Sequence, residues 1–235
     1  MGTRAAQDRD PIHFLHIRKT GGTAIVEALC PVAEHFNIIL HGHATKLRDI
    51  PPNHGVFFFV RHPIPRFVSG FLSRLRRGMP RYHYEWSEAE ARAFARFPTP
   101  NALGEALSAS DYASRAAAQD AMRSINHVNS NYKDWFGRQQ ALDDRIHSIL
   151  LVGLQEELSR AFEYLKKLLG LPNELVLPED DILAHRTPRE FDRRISSLAE
   201  DGLTQWYAED IRFYEHCVEI RSRQRAGIAA ERLQY

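Results

Sequence analysis

Residues Ile12-His13-Phe14-Leu15-His16-Ile17 read as a strand. They pass through Arg18-Lys19-Thr20-Gly21-Gly22-Thr23 directly into a helical pattern. That succession of strand, glycine-rich turn and helix belongs to open α/β sheets, and it is also how a chain builds an anion cradle. Two glycines let the backbone approach a ligand, the new helix points N–H groups at it, and Lys19 adds a full positive charge. A phosphate or a sulfate ester is the expected guest. The same six residues would also suit a turn whose glycines serve local geometry alone, so the segment by itself leaves both readings open.

The turn differs from two better-known phosphate loops. The nucleotide-triphosphate P-loop places its lysine after the second glycine and follows it with a magnesium-holding Ser or Thr, whereas here the lysine comes first. The dinucleotide fingerprint needs glycines in the G-x-G-x-x-G pattern, whereas Gly21 and Gly22 are adjacent and no third glycine follows at the required spacing.

A second segment repeats the strand-to-helix transition. Val56-Phe57-Phe58-Phe59-Val60 is a short, wholly apolar run of the kind buried in a parallel sheet. It ends in Arg61-His62-Pro63-Ile64-Pro65-Arg66-Phe67-Val68-Ser69, where Pro63 and Pro65 enforce a break. Phe67, Val68, Phe71, Leu72 and Leu75 then recur at helical spacing. Arg61 is thus placed at the carboxyl end of a strand, where open α/β sheets bind ligands, and Ser69 near the start of the next helix. A guanidinium fork with a hydroxyl is a good receptor for a second phosphate.

Together these segments resemble the sulfotransferases that use 3′-phosphoadenosine 5′-phosphosulfate, especially the branch of the heparan sulfate 2-O-sulfotransferases and their bacterial relatives. Lys19-Thr20-Gly21-Gly22-Thr23 is similar to the family's 5′-phosphosulfate loop, P-K-T-G-G-T, and Arg61 through Ser69 to its 3′-phosphate motif, R-[D]-P-x-x-R-x-x-S. Arg18 stands where the family usually has Pro, and His62 where Asp is common; neither change removes a phosphate-contacting group. The resemblance implies a donor site of Lys19, Thr20, Gly21, Gly22, Thr23, Arg61 and Ser69. It also implies release of adenosine 3′,5′-bisphosphate and chemistry that requires no metal. Relatives close the nucleotide site with a late loop, which makes Arg186 and Thr187 candidates for the 3′-phosphate or adenine side, alongside the plainer reading of a solvated turn.

Between the motifs, Asn37-Ile38-Ile39-Leu40 reads as a strand that delivers His41-Gly42-His43. Sulfuryl transfer to an alcohol needs a base, and imidazole titrates in the right range. The 2-O-sulfotransferase branch carries a similar H-G-H implicated in catalysis. His43 is accordingly expected to be the base, Lys19 to meet charge on the leaving oxygen, and His41 to be partner or understudy. A structural histidine pair bonded to backbone is the competing reading. Glu27, in the helix after the first loop, is the rival base. A zinc site would need a third ligand, and none stands at a suggestive spacing.

Composition sets limits. The 235 residues, 43% of them hydrophobic, can bury a core and are most simply one domain, 1–235, with a helical insertion around 80–145. With 31 basic and 30 acidic residues the net charge is +1, so no general nucleic-acid surface is expected and anion binding must be local. Cys30 and Cys217 are too few for a disulfide framework and are expected to be reduced packing residues. The first residues, Met1 to Asp8, lack the apolar core of a signal peptide and no run is long enough to span a bilayer. Eukaryotic members of the family are usually anchored in the Golgi, so an anchorless chain points to a bacterial cytoplasmic enzyme.

The remainder reads as helical. Pro98 and Pro100 divide the stretch from Ser87 to Arg123 into at least two helices, in a region where the family is variable and shapes the acceptor pocket. Tyr132, Trp135 and Phe136 are expected in the core. Ser148 to Gly153 reads as another buried strand, followed by a helix stopped at Gly170. Leu203 to Val218 reads as a final helix whose Asp210, Phe213 and Tyr214 resemble the family's D-x-x-x-Y ending. Arg221, Arg223, Arg225 and Arg232 then form a basic tail, read as a solvated helix end. Arg74, Arg76 and Arg77 suit either a polyanionic glycan or a wet helix face.

The expected architecture is an α/β fold with a parallel central sheet, strands near residues 12 to 17, 37 to 40, 56 to 60 and 148 to 153, and flanking helices. The leading function is sulfuryl transfer to an acceptor hydroxyl on a sugar or glycolipid. A nucleotide phosphotransferase of related fold and a non-catalytic nucleotide- or glycan-binding module are the alternatives.

Overall fold

The computed structural model describes residues 10–184, 186–188 and 190–232, with side chains through residue 226. The segment Met1 to Asp8 and the Arg232 side chain lie outside the described residues. Strands β1 (Ile12–Leu15), β2 (Ile38–Leu40), β3 (Val56–Val60) and β4 (Ile149–Leu154) form a sheet in the order β2-β1-β3-β4. All three pairings are parallel, with His13 opposite Ile39 on one side and Val56 on the other. Helices α1 (Gly22–Leu29), α2 (Pro63–Leu75), α3 (Glu88–Arg96), α4 (Pro100–Ala106), α5 (Tyr112–Ser124), α6 (Lys133–Phe136), α7 (Gln139–Asp143), α8 (Leu158–Leu169), α9 (Ser197–Trp206) and α10 (Ala208–Arg232) follow in chain order. The parallel α/β architecture expected from the two strand-to-helix transitions is the one observed.

Two compact units make up the chain: Met1–Arg61 with Tyr132–Glu179 and Phe213–Tyr235, and His62–Asn131 with Asp180–Arg212. The first unit holds the sheet. Successive strand side chains alternate between faces. Phe14, Phe57 and Phe59 therefore pack with Ile25 and Leu29 of α1 and Phe162 and Leu165 of α8. Leu15, Phe58 and Val60 pack on the other face with Tyr132, Trp135, Phe136 and residues of α10. With both faces covered, every residue of β3 is buried, which is why its sequence is apolar without alternation. The aromatics Tyr132, Trp135 and Phe136 are core residues, as expected.

The second unit is helical. Ile64, Phe67 and Phe71 of α2 meet Phe94, Leu103, Met122 and Leu203 in one cluster. Helix starts carry the side chains that satisfy their orphan N–H groups: Ser87, Thr99, Asp111 and Ser196 each accept from the backbone N–H three residues on.

Several expectations change. The helix read over Leu203 to Val218 is two helices that part at Tyr207, which is buried and whose hydroxyl donates to the Val128 carbonyl at 2.9 Å. Arg74 neither greets a ligand nor lines a wet face. It is 1% exposed, and its guanidinium bonds Glu90 at 2.7 and 2.8 Å and the carbonyls of Tyr84 and Glu85. Arg77 lies over the Trp86 ring, 4.5 Å from its centroid. Arg221 is buried and, like Arg225, bonds Glu157, so the basic tail is tied to the sheet unit rather than wholly solvated. Cys217 is buried but Cys30 is exposed, so only Cys217 packs. No helix among the described residues is long and apolar enough to cross a membrane.

Candidate active site

Three strands of the sheet end in polar segments: β1 in Arg18–Thr23, β2 in His41-Gly42-His43 and β3 in Arg61. In the order β2-β1-β3-β4 the chain winds outward from β1 to one side and then the other. Open sheets bind ligands outside the carboxyl ends at such a reversal.

In the first loop Lys19 (φ 64) and Gly21 (φ 84) are both left-handed and flank Thr20, turning the chain so that α1 begins at Gly22. Holding Lys19 there costs about 1–2 kcal/mol, because a side chain crowds the following carbonyl in that conformation. Thr20 is 1% exposed and its Oγ1 donates to the Ile17 carbonyl at 2.9 Å, stapling the turn from inside. Among the described residues no side chain caps α1 and its first turn carries no acidic group, so its amino end keeps the positive character that suits an anion. Thr23 is half-buried in the first turn of α1, and Glu27 is exposed further along it.

His43 is exposed, yet its ring is held. Its Nδ1 lies 3.1 Å from the His16 carbonyl. A carbonyl can only accept, so the proton sits on Nδ1 and Nε2 is the basic nitrogen. The Trp135 indole donates to the His43 carbonyl at 3.0 Å and fixes the backbone. Desolvation pulls the imidazole pKa below 6.5; the bond to His16 opposes this, and the positive charges of Arg18 and Lys19 reinforce it. A neutral imidazole at pH 7 follows.

His41 is bound differently. Its Nε2 meets His13 Nδ1 at 2.8 Å, His13 Nε2 meets His54 Nδ1 at 2.9 Å, and His54 Nε2 lies 3.7 Å from Asp10 Oδ1. Each neutral imidazole has one N–H, so the donors along this chain must all point one way. The Asp10 carboxylate favours a proton on His54 Nε2, which orients every donor away from His41 and leaves its Nδ1 basic. Burial lowers the pKa of His41, with Asp49 opposing. His13 is lowered to about 4 by burial and by the positive character of His41, His54 and Arg145.

At the end of β3 the peptide of Arg61 is clamped by Tyr132, whose hydroxyl accepts from the Arg61 N–H at 2.9 Å and donates to its carbonyl. The sheet thus gathers Lys19, Thr20, Gly21, Gly22, Thr23, His41, His43 and Arg61 at strand ends of one unit. Ser69, half-buried in the second turn of α2, belongs to the second unit. So do Arg186, which is exposed and paired with Asp181 at 2.9 Å, and Thr187.

The motif reading missed His13, His16 and His54, and the clamps made by Tyr132 and Trp135. One signal was present: six of the twelve histidines fall between residues 13 and 54. Among the described residues no group of three or more His, Cys, Asp or Glu is arranged to hold a metal ion; the facing nitrogens of His13, His41 and His54 are engaged with one another.

A family model for the sulfotransferase family matches residues 5–216, and the chain belongs to that family. It is therefore a transferase whose chemistry, in general terms, is the movement of a sulfuryl group. No curated protein matches the chain.

Proposed function

We propose that the protein transfers the sulfuryl group of 3′-phosphoadenosine 5′-phosphosulfate to an acceptor hydroxyl on a carbohydrate or glycolipid, in the manner of the 2-O-sulfotransferase branch. The observation that carries this reading is the pairing, at neighbouring strand ends, of an uncapped helix start behind Lys19 with a neutral imidazole whose Nε2 is basic. The first suits an anionic donor, and the second suits removal of a proton from an alcohol.

In this reading the backbone N–H groups of Gly21, Gly22 and Thr23 receive the phosphosulfate. Lys19 meets the negative charge that builds on the bridging oxygen as the sulfur–oxygen bond breaks. The acceptor oxygen forms the new bond to sulfur in line with that leaving oxygen, and its proton goes to His43 Nε2. The Nδ1–H keeps donating to the His16 carbonyl throughout, so the imidazolium that forms is stabilised by an oxygen already in place. Arg61 takes the 3′-phosphate; Ser69, Arg186 and Thr187 join the nucleotide-binding set on the strength of the resemblance. The one-domain organisation with an insertion around 80–145 belongs to the same proposal.

Calorimetric titration with adenosine 3′,5′-bisphosphate, ADP and ATP, without added metal, tests it. A clear preference for the bisphosphate supports the donor assignment. Equal or absent binding overturns it, and a preference for ATP, strengthened when the titration is repeated with magnesium, transfers the site to phosphoryl chemistry.

A further inference from the structure

His16 makes more contacts around the loop than any role assigned above requires. The Cδ2–Nε2 edge of its ring lies against the first residue of α1. A methyl group on Gly22 would stand 2.2 Å from His16 Cδ2 and 2.4 Å from Nε2, and the three atoms nearest to it all belong to His16. The same ring stands 4.0 Å from the His43 ring, stacks on Phe14 at 5.3 Å and hydrogen-bonds the His41 backbone. Its carbonyl accepts from His43 Nδ1. One residue therefore touches the anion-binding turn and both halves of the H-G-H segment.

We infer that His16 is a positioning residue that couples the donor turn to the base, and that Gly22 is glycine in order to admit the His16 ring rather than the donor. Calling His43 the base rests on the function proposed above; the packing does not. Carbon atoms in contact sit about 3.5–4.0 Å apart, so a methyl group at 2.2 Å forces the His16 ring to move, and the His43 ring packed on it must follow. Alanine is otherwise welcome at this position, since Gly22 opens a helix and its φ is not left-handed. The groups around His43 are the His16 ring and carbonyl and the cations Arg18 and Lys19. Those around His16 are Phe14, Gly22, His43 and the His41 backbone.

The test is a cycle of Gly22→Ala, His16→Ala and the double variant. It has two readouts: the NMR titration midpoint of the His43 ring and calorimetric affinity for adenosine 3′,5′-bisphosphate. In His16→Ala the midpoint rises toward 6.5, because the ring loses its desolvating neighbour. Gly22→Ala moves the midpoint when His16 is present and leaves it unmoved in the His16→Ala background. Any loss of bisphosphate affinity in Gly22→Ala is relieved in the His16→Ala background, because it passes through the displaced His16 ring.

A midpoint indifferent to His16→Ala overturns the coupling. Loss of bisphosphate affinity in Gly22→Ala that persists in the double variant shows that the glycine serves the donor instead. Should His16→Ala fail to fold, His16→Val, which suits a strand end, carries the same comparison. If the parent protein binds no bisphosphate, the proposed function falls while the titration still decides the role of His16.

Discussion

The segments Arg18–Thr23 and Arg61–Ser69 both carry a strand into a helix and both place cations there, yet they use their side chains in opposite ways. In the first, the hydroxyl of Thr20 is turned inward to Ile17, and backbone geometry and one lysine are left to form the proposed cradle. In the second, the inward-turned group is a full charge. Arg66 is 3% exposed, and its guanidinium donates to the Ser130 carbonyl and to Asp210 at 3.3 Å. The difference teaches that a motif can mix residues that face a ligand with residues that hold the chain. Arg66 and Asp210, 144 positions apart in sequence, are partners of the second kind.

Substitution at the two arginines of the second segment sharpens this contrast most. Arg66→Ala leaves the Asp210 carboxylate buried without its main counter-ion and should lower unfolding stability by about 3–5 kcal/mol. Arg61→Ala should leave the denaturation midpoint nearly unchanged and weaken adenosine 3′,5′-bisphosphate far more than AMP, which lacks the 3′-phosphate. Denaturant melts with calorimetry separate the two. Intact stability with lost nucleotide binding in Arg66→Ala would reverse the assignment.

Acid should act on the two regions in different pH windows. His13 has a folded pKa of about 4, below its ordinary 6.5, so between those values the unfolded chain binds more protons than the folded one. Its contribution to stability is complete above pH 6.5 and declines as pH falls toward 4. Burial by itself would raise the pKa of Glu90, but the bonds from Arg74 and from the N–H groups of Ser87 and Asn126 outweigh it and hold the pKa below 4.5. The Arg74–Glu90 pair is therefore lost only at lower pH. Urea melts from pH 7 to 4.5 should show a decline to which His13 contributes about 1–2 kcal/mol, so His13→Gln makes the slope shallower without abolishing it, because burial lowers His16 as well, to about 3. An unchanged slope would remove His13 from the acid response.

Much of this was legible in the sequence for physical reasons. Wholly apolar Val56–Val60 suits a strand covered on both faces, and Pro63 and Pro65 beyond it enforce the break after which helical spacing begins. The turn itself was legible because adjacent glycines between an apolar strand and a helical pattern mark a tight strand-to-helix connection. Partnerships across long separations were not. Arg74 and Arg66 look like any arginines on a helix until Glu90 and Asp210 are brought to them, and local pattern cannot say which charges will be desolvated. The same limit hid His13, His16 and His54, because strand register rather than spacing sets His13 beside His41 and His54. Tyr207 ended a helix whose apolar period ran on through it, since a tertiary bond to Val128 outweighed the local preference.

The smallest expected effect tests the inner half of the first segment. Thr20→Val keeps the shape of the side chain and removes its one hydrogen bond, leaving the Ile17 carbonyl without that donor, and should cost about 1 kcal/mol of stability. Because the proposed ligand-facing groups of the turn are backbone N–H groups and Lys19, affinity for adenosine 3′,5′-bisphosphate should change by no more than about threefold. The left-handed residues on either side of Thr20 are set by the turn itself, so they give the substituted side chain no reason to swing outward. A loss of affinity well beyond that, with stability intact, would mean that the hydroxyl leaves Ile17 to meet the donor. Thr20 would then be a ligand-facing residue, and the contrast with Arg66 would rest on charge alone.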